Sequence, residues 1–396
     1  MTMSSVELDV LTDIDALAPL AADWDACLED HGGDIYHSAA WLRVWWAHFG
    51  KRRKLALFCL RASGRLVGVI PFVIERLGPA RLARLAGADP NYPFLGFGID
   101  PDHEEAVWSA ALDHLARARG CDLVSLAHLS DQAAPQAAMK AAPASGLTLL
   151  RDDGAREHTL MRPPGAFDAY MAGLSKTRRW EYRRDLKKMA ERFEVERTVS
   201  DPAVATEALD RFIDLHQAQW RAADRQGHFD DWPGSRAFYH EATAALAPAG
   251  QALVLDHLGE GQPLSSQFIL LFGDRAYWRL SARSLDPDFA EFGLGRFSLV
   301  ELTRFLIERG VRQIEGGAGK YEYKTKFGFE EQPLRRLLLV RDTGPARAKA
   351  RLLLAWADLL DLAYYRIWFL KLAPRLRARL KLKHRPLWSS WIRTRI

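Results

Sequence analysis

The sequence predicts an α/β protein made of two related mixed domains in tandem, followed by a basic helical extension. Three observations predict it. Apolar residues alternate at a period of two in short runs and recur at 3.6 in longer ones. A similar order of helix, antiparallel strands, helix and strand occurs in both halves. The 396 residues give room for two domains of ordinary size. Hydrophobic residues make up 48% and aromatic residues 11%, so sizeable cores are expected and global disorder is not.

In the first half, "IYHSAAWLRVWWAHFG" (Ile35 to Gly50) reads as a helix with Trp41, Trp45 and Phe49 on one face. "KLALFCLRASGRLVGVIPFVIERL" reads as two strands joined by a Ser63-Gly64 turn. "HEEAVWSAALDHLARARG" is a helix closed by Gly120, with the strand "CDLVSLAHL" after it. In the second half, "LSKTRRWEYRRDLKKMAERF" places Tyr182, Leu186, Met189 and Phe193 at helical spacing, and "EALDRFIDLHQAQWRAA" is a second helix. Three strands follow in "QALVLDHLGEGQPLSSQFILLFGDRAYWRLSARS", cut by Gly259-Glu260-Gly261 and Gly273-Asp274. "GLGRFSLVELTRFLIERG" is a helix opened by glycines, and "VRQIEG" a strand. The domain boundary falls near the Pro163-Pro164-Gly165 turn, giving domains at 1–160 and 161–344 and an extension at 345–396.

Several classes are excluded. Three scattered cysteines form neither a metal spacing nor a disulfide framework, which suits a reducing cytoplasm. The first residues lack the basic and apolar segments of a signal peptide. No window is apolar enough to predict a transmembrane helix. No Ser/His/Asp order, phosphate-binding P-loop or metal-ligand spacing appears, and no metal is expected.

Charge is uneven. Residues 345–396 hold 13 Lys/Arg and 2 Asp/Glu, against 42 and 48 in the rest, so a net +11 sits on a chain body of net −6. Apolar periodicity through Leu352, Trp356, Leu359, Leu360, Ala363 and Ile367 makes the start of this extension a helix, which Pro374 stops or kinks. Basic residues interleaved with Trp368, Trp388 and Trp391 suit an anionic membrane surface. They also suit an anionic nucleotide such as a cyclic dinucleotide. The bland alternative is a helix packed on the second domain.

Four groups of residues stand out as candidate chemistry. Gly293 and Gly295 would open a helix whose free N–H groups can hold phosphate oxygens, unless the glycines serve only the backbone. Lys176, Arg179 and Arg183 share a helix face that could grip phosphates or lie solvated with Glu181, Asp185 and Glu191 as partners. His216, near Gln219 and Trp220 on one face, is either a proton-transfer group or a structural histidine. Ser265, Ser266 and Gln267 on a strand could bond a substrate or a neighbouring strand.

Together, "WLRVWWAHFG", "GRLVGVIPFVIERL", the basic helix after "LSKTRRW", "LHQAQW", "QPLSSQFILLF", "FGLGRFSLVELT" and "YEYKTKFG" resemble the CelD-like acyltransferases of the GNAT superfamily, relatives of the Fem peptidyltransferases. The resemblance covers about residues 5–340 and is most specific from Leu174 to Phe329. It implies two tandem GNAT-like domains and an acyl donor bound in the second, acetyl-CoA or another acyl-CoA. It also implies N-acyl transfer to an amino sugar of a polysaccharide precursor or lipid-linked sugar, as in the holdfast-associated N-acetyltransferases of exopolysaccharide synthesis. Ala290 departs from the Gln or Arg expected three residues before the first loop glycine. The implied donor-binding set is Gln267, Gly293, Gly295 and Arg296, and the implied acceptor-binding set Lys176, Arg179, Arg183 and Trp220. Glu315 or His216 would be the base, Tyr323 would protonate the leaving thiolate, and Lys324 would border the acceptor or the donor phosphates. Two alternatives stay open: a Fem-like transferase using aminoacyl-tRNA, the one nucleic acid expected, and a degenerate pair binding an anionic nucleotide such as cyclic di-GMP. The expected location is the cytoplasm, peripheral to the inner face of the membrane.

Overall fold

Alternating apolar runs pair wherever a turn lets them. In the computed structural model, which describes residues 6–87, 89, 92–130, 136–223, 227–230, 232, 234–319, 322–372 and 375–376, β1 (Glu7–Leu11) lies antiparallel to β2 (Lys54–Ala62), and β2 to β3 (Arg65–Leu77). Ser63 and Gly64 both take positive φ, 50° and 79°, as a tight hairpin turn requires. β4 (Ala80–Leu85) continues the antiparallel order and β5 (Gly98–Ile99) pairs with β3. β6 (Leu123–Ser130) then returns parallel to β4. Helices α1 (Ala21–Asp30), α2 (Ala39–Phe49), α3 (Glu104–Asp113) and α4 (Gln136–Ala141) complete this part. Ser38 caps α2, accepting from the Trp41 N–H. The aromatic face read from the sequence is buried as expected: Trp41, Trp45 and Phe49 lie in the core with Trp24 and Trp108.

β7 (Leu147–Met161) carries the chain into a second unit, Glu157–Gln332. There α5 (Phe167–Gly173) and α6 (Lys176–Ala190) precede β8 (Val195–Val199). α7 (Ala205–Ala222) and α8 (Ser235–Leu246) follow. The antiparallel run β9 (Ala252–Gly259), β10 (Gln262–Phe272) and β11 (Arg275–Arg283) leads through α9 (Leu294–Glu308) to β12 (Gln313–Ala318). β12 is parallel to β11 and antiparallel to the end of β7. Strand order is therefore β7-β12-β11-β10-β9-β8. Each unit thus holds one parallel strand pair bridged by a helix, the repeat legible in the sequence.

The turn α10 (Glu322–Thr325) leads to β13 (Glu330–Arg341), which pairs with β6, and to α11 (Gly344–Leu360). Residues Pro333–Ile396 thus cluster with the first unit, Met1–Arg156, rather than with residues 161–332. Nor is the extension a helix on the second domain. Ala346, Ala350, Leu353 and Ala357 of α11 pack on Ala80, Leu82, Leu123, Leu338 and Val340. Its other side leaves Leu352, Trp356 and Leu359 exposed, and π-helical turns at Asp361–Leu372 leave Leu362, Ile367 and Trp368 exposed. Pro374 and the basic run with Trp388 and Trp391 lie outside the described residues.

The glycine-rich stretch after Glu315 completes β12. Gly316 and Gly317 form a bulge in β12, where the register to β7 shifts. A Cβ on Gly316 would stand 2.6 Å from both Phe329 and Thr159, and Gly317 has φ 88°. Glycine is needed for space at one and for backbone at the other.

Candidate active site

β11 and β12 are hydrogen-bonded only from Arg275↔Gln313 to Tyr277↔Glu315. Beyond that pair the ladder ends. β11 also bulges against β10, because Ile269 faces Trp278 while Phe268 faces Leu280, leaving Arg279 as the extra residue. A cavity of about 470 Å³ lies here, lined among others by Trp278, Ser281, Gly293, Gly295, Arg296 and Tyr323.

One wall is the start of α9. Gly293 is its N-cap in the left-handed region, φ 58°, and brings no side-chain acceptor to the first-turn N–H groups. A Cβ at Gly293 would overlap the Arg296 guanidinium and the Asp185 carboxylate. Gly295 is different: nothing stands within 4 Å of a Cβ there. Its wall is open for a ligand to approach the backbone. Arg296 is held by buried Asp185, with Nη2 2.6 Å from Oδ2. The helix terminus therefore offers unpaired donors, a positive dipole end and a fixed guanidinium, a combination suited to a phosphate.

The same unit holds a buried charged cluster. Glu315, fully buried on β12, accepts from the Gly317 N–H at 2.6 Å. Its Oε1 is 3.8 Å from His158 Nδ1, and Oε2 is 3.8 Å from Arg279. Oε2 and both ring nitrogens of His158 have no hydrogen-bond partner among the described residues. Lys324, on α10, is buried too and donates to the Gly316 carbonyl. Its ammonium lies 5.0 Å from the Trp278 ring centre. Burial pushes the Lys324 pKa down to about 8, while the Glu315 carboxylate pulls it up and Arg279 adds to the lowering. The Lys324 ammonium thus stands beside two rings, Trp278 and Tyr323, that line the cavity. A lysine with its pKa lowered toward neutrality is suited to proton transfer.

The other residues singled out from the sequence fall in three places. Tyr323, Gly293, Gly295 and Arg296 line the cavity. Gln267 is buried beside it, and its Oε1 accepts from the Trp278 indole at 2.6 Å, which fixes that wall. His216 sits behind β11, with Nδ1 2.9 Å from the Ser281 carbonyl and Nε2 3.2 Å from His228. Burial lowers its pKa to about 4, the Ser281 bond working against this and His228 with it. Trp220 packs edge-on against His228. On α6, Lys176 and Arg183 are exposed, whereas Arg179 donates to the carbonyls of Ala172 and Leu174 at the end of α5. Glu181 pairs with Arg178 at 2.6 Å and Glu191 with Lys187 at 3.7 Å, as the solvated-face reading has it.

His158, Trp278 and Arg279 are the members that sequence reading missed, and Asp185, read as a partner on a solvated face, is buried. Asp185 had a signal, an acid among seven basic residues of α6. His158 had none, because only strand register brings it to Glu315. Among the described residues no cluster of side chains could hold a metal ion, and no helix is long and apolar enough to cross a membrane.

Residues 175–325 match the acetyltransferase (GNAT) domain family, a span that contains α6, Lys324 and every residue that lines the cavity except Phe327. The fold of the chain is similar to that of FemX, with a TM-score of 0.61 and 12% identity over 84% of this chain and 96% of that one. It is also similar to the C-terminal domain of a putative lysylphosphatidylglycerol synthetase from Agrobacterium fabrum, with a TM-score of 0.51 and 17% identity over 87% of this chain and 96% of that one. A tandem GNAT protein from the clavulanic acid biosynthesis pathway aligns at a TM-score of 0.39 and 14% identity, over 84% of this chain and 97% of its own. No curated protein sequence matches. The matched residues all lie within the second unit, Glu157–Gln332.

Proposed function

We propose that the second unit transfers an acyl group from acyl-CoA to an amine, with an amino sugar of a surface-polysaccharide precursor as the acceptor class. One observation carries this reading. A glycine-opened helix terminus lines a cavity, and one cavity-lining residue, Trp278, has the buried Lys324 ammonium 5.0 Å from its ring centre, with Glu315 the carboxylate that acts on that lysine. The amine nitrogen attacks the thioester carbon, the C–N bond forms, and the C–S bond breaks. Glu315 takes the amine proton, directly or through one bridging water, and Lys324 supplies a proton to the leaving thiolate. The two steps support each other. Protonating Glu315 removes the negative charge that holds the proton on Lys324. Tyr323 and Trp278 shape the wall that the acyl group meets, and the α9 terminus holds the donor's pyrophosphate. The exposed apolar residues of α11 and the basic residues beyond them support a location on an anionic lipid surface.

The test is release of free CoA thiol from acetyl-CoA and longer acyl-CoAs with a panel of amino-sugar acceptors. Glu315→Gln and Lys324→Ala are each expected to lower turnover at least about a hundredfold, as for a lost proton-transfer group. Charged tRNA accepted in place of acyl-CoA would move the reading to an aminoacyl transferase. Full turnover in both variants would end the assignment of the couple.

A further inference from the structure

We propose that the outer face of α6 at Trp180 and Arg184 binds the adenosine bisphosphate end of the acyl donor. This rests on the acyl-CoA reading above and extends it outside the cavity.

α6 runs from α10 to the start of α9. At its first turn, Arg178 is near enough to Glu322 to help Lys326 hold that carboxylate below the usual range, and Glu322 precedes the cavity-lining Tyr323. Further along, the buried Asp185 carboxylate takes Arg184 on Oδ1 at 2.8 Å and Arg296 on Oδ2 at 2.6 Å. Arg296 lines the cavity. The Arg184 guanidinium lies 4.9 Å from the Trp180 ring centre. A chain of contacts, Arg296–Asp185–Arg184–Trp180, therefore leads from the cavity wall to the surface.

Each link has a physical cost that a mere surface would not need. A buried carboxylate is expensive unless paired, and this one holds two guanidiniums at once. Both arginines remain partly exposed, with side-chain exposures of 38% and 31%, so donors remain for a further anion. Trp180 is left 58% exposed, with the guanidinium over its ring. α6 carries seven basic residues and two acidic ones, Glu181 and Asp185, both already paired. A planar aromatic platform beside two fixed guanidiniums matches a ligand that has both a base and phosphates. A bare phosphate would have no use for Trp180, and an acyl chain none for Arg184. The nucleotide end of CoA has both features, and its pantetheine end reaches back toward the cavity.

Binding measured by calorimetry on the full chain tests this with CoA, adenosine bisphosphate and phosphopantetheine as probes. Trp180→Ala should weaken CoA and adenosine bisphosphate about tenfold, the cost of one lost stacking partner, while phosphopantetheine affinity holds. Trp180→Phe should restore most of the loss. Arg184→Lys should weaken the bisphosphate while keeping the charge, because the planar fork is gone. Wild-type affinity for CoA in Trp180→Ala, or an equal loss for phosphopantetheine, overturns the proposal and leaves the donor reading standing. Failure of the wild-type protein to bind adenosine bisphosphate overturns it too. Failure to bind any of the three probes takes the donor reading with it.

Discussion

Lys324→Met should make the protein more stable at neutral pH while abolishing its chemistry. In the folded protein the Lys324 pKa falls from 10.5 to about 8. The folded state therefore binds its proton more weakly than the unfolded chain does. Below pH 8 both states are charged and the full penalty applies, about 3 kcal/mol at about 1.4 kcal/mol per pKa unit. Methionine removes that penalty, is similar in length, and forfeits the bond to the Gly316 carbonyl, worth about 1 kcal/mol. A net gain of about 2 kcal/mol is expected at pH 7. The gain should shrink as pH rises through 8 and reverse by about 10.5, above which lysine is neutral in both states and the lost bond leaves the variant about 1 kcal/mol less stable. Urea unfolding of wild type and variant at a series of pH values measures it. A variant less stable than wild type at pH 7, or a difference that ignores pH, would refute the reasoning. It would mean that Lys324 is an ordinary paired ammonium rather than a destabilised one kept for function.

Acid should unfold the protein early. His216 and His257 are pushed down to about 4 and His37 to about 3 by burial. Their stabilising contribution is full above pH 6.5 and is lost as pH falls toward 4, at about 3 kcal/mol per histidine; a rising urea midpoint between pH 4.5 and 6.5 checks this. Gly293→Ala should cost at least about 1–2 kcal/mol for its left-handed backbone alone, measured by the same unfolding curves. Removing residues 377–396 should release the protein from anionic vesicles in co-sedimentation, and added salt should mimic the deletion, since exposed charges are screened over about 10 Å at 0.1 M. Equal sedimentation of both chains would count against the lipid-surface location, and an effect of cyclic dinucleotide on the intact chain would make attachment switchable.

Local patterns were the legible part of this sequence. The stripe of Tyr182, Met189 and Phe193 is buried as its spacing implied, and Ser175 caps α6 by accepting from the Arg178 N–H. Gly293 and Gly295 announced a helix start within a few residues, which is all that a cap requires. β7 escaped notice because its middle reads "RDDGAREH", charges that hide a strand. Their partners were unreadable: Arg336 donates to Asp153 across 183 residues of sequence. Lys324 was misleading for a related reason. The resemblance sets it at the border of the acceptor or the donor phosphates, and only the fold reveals that it is buried, its ammonium 5.0 Å from the Trp278 ring centre. The Glu315–His158 contact depends on the bulge in β12 and on the register with β7, neither of which has a sequence signature.

Gly295→Asp tests the central claim most directly. The site is exposed, with nothing within 4 Å of a Cβ, and an acid in the first turn of α9 suits the helix dipole. Folding should therefore be unharmed or slightly improved. The same carboxylate would face the phosphates of a bound donor, so acetyl-CoA affinity measured by calorimetry should fall at least about tenfold, the price of roughly one unfavourable charge contact near a protein surface. Retained acetyl-CoA affinity in a well-folded Gly295→Asp protein would contradict the account, because the donor would then bind somewhere other than the α9 terminus.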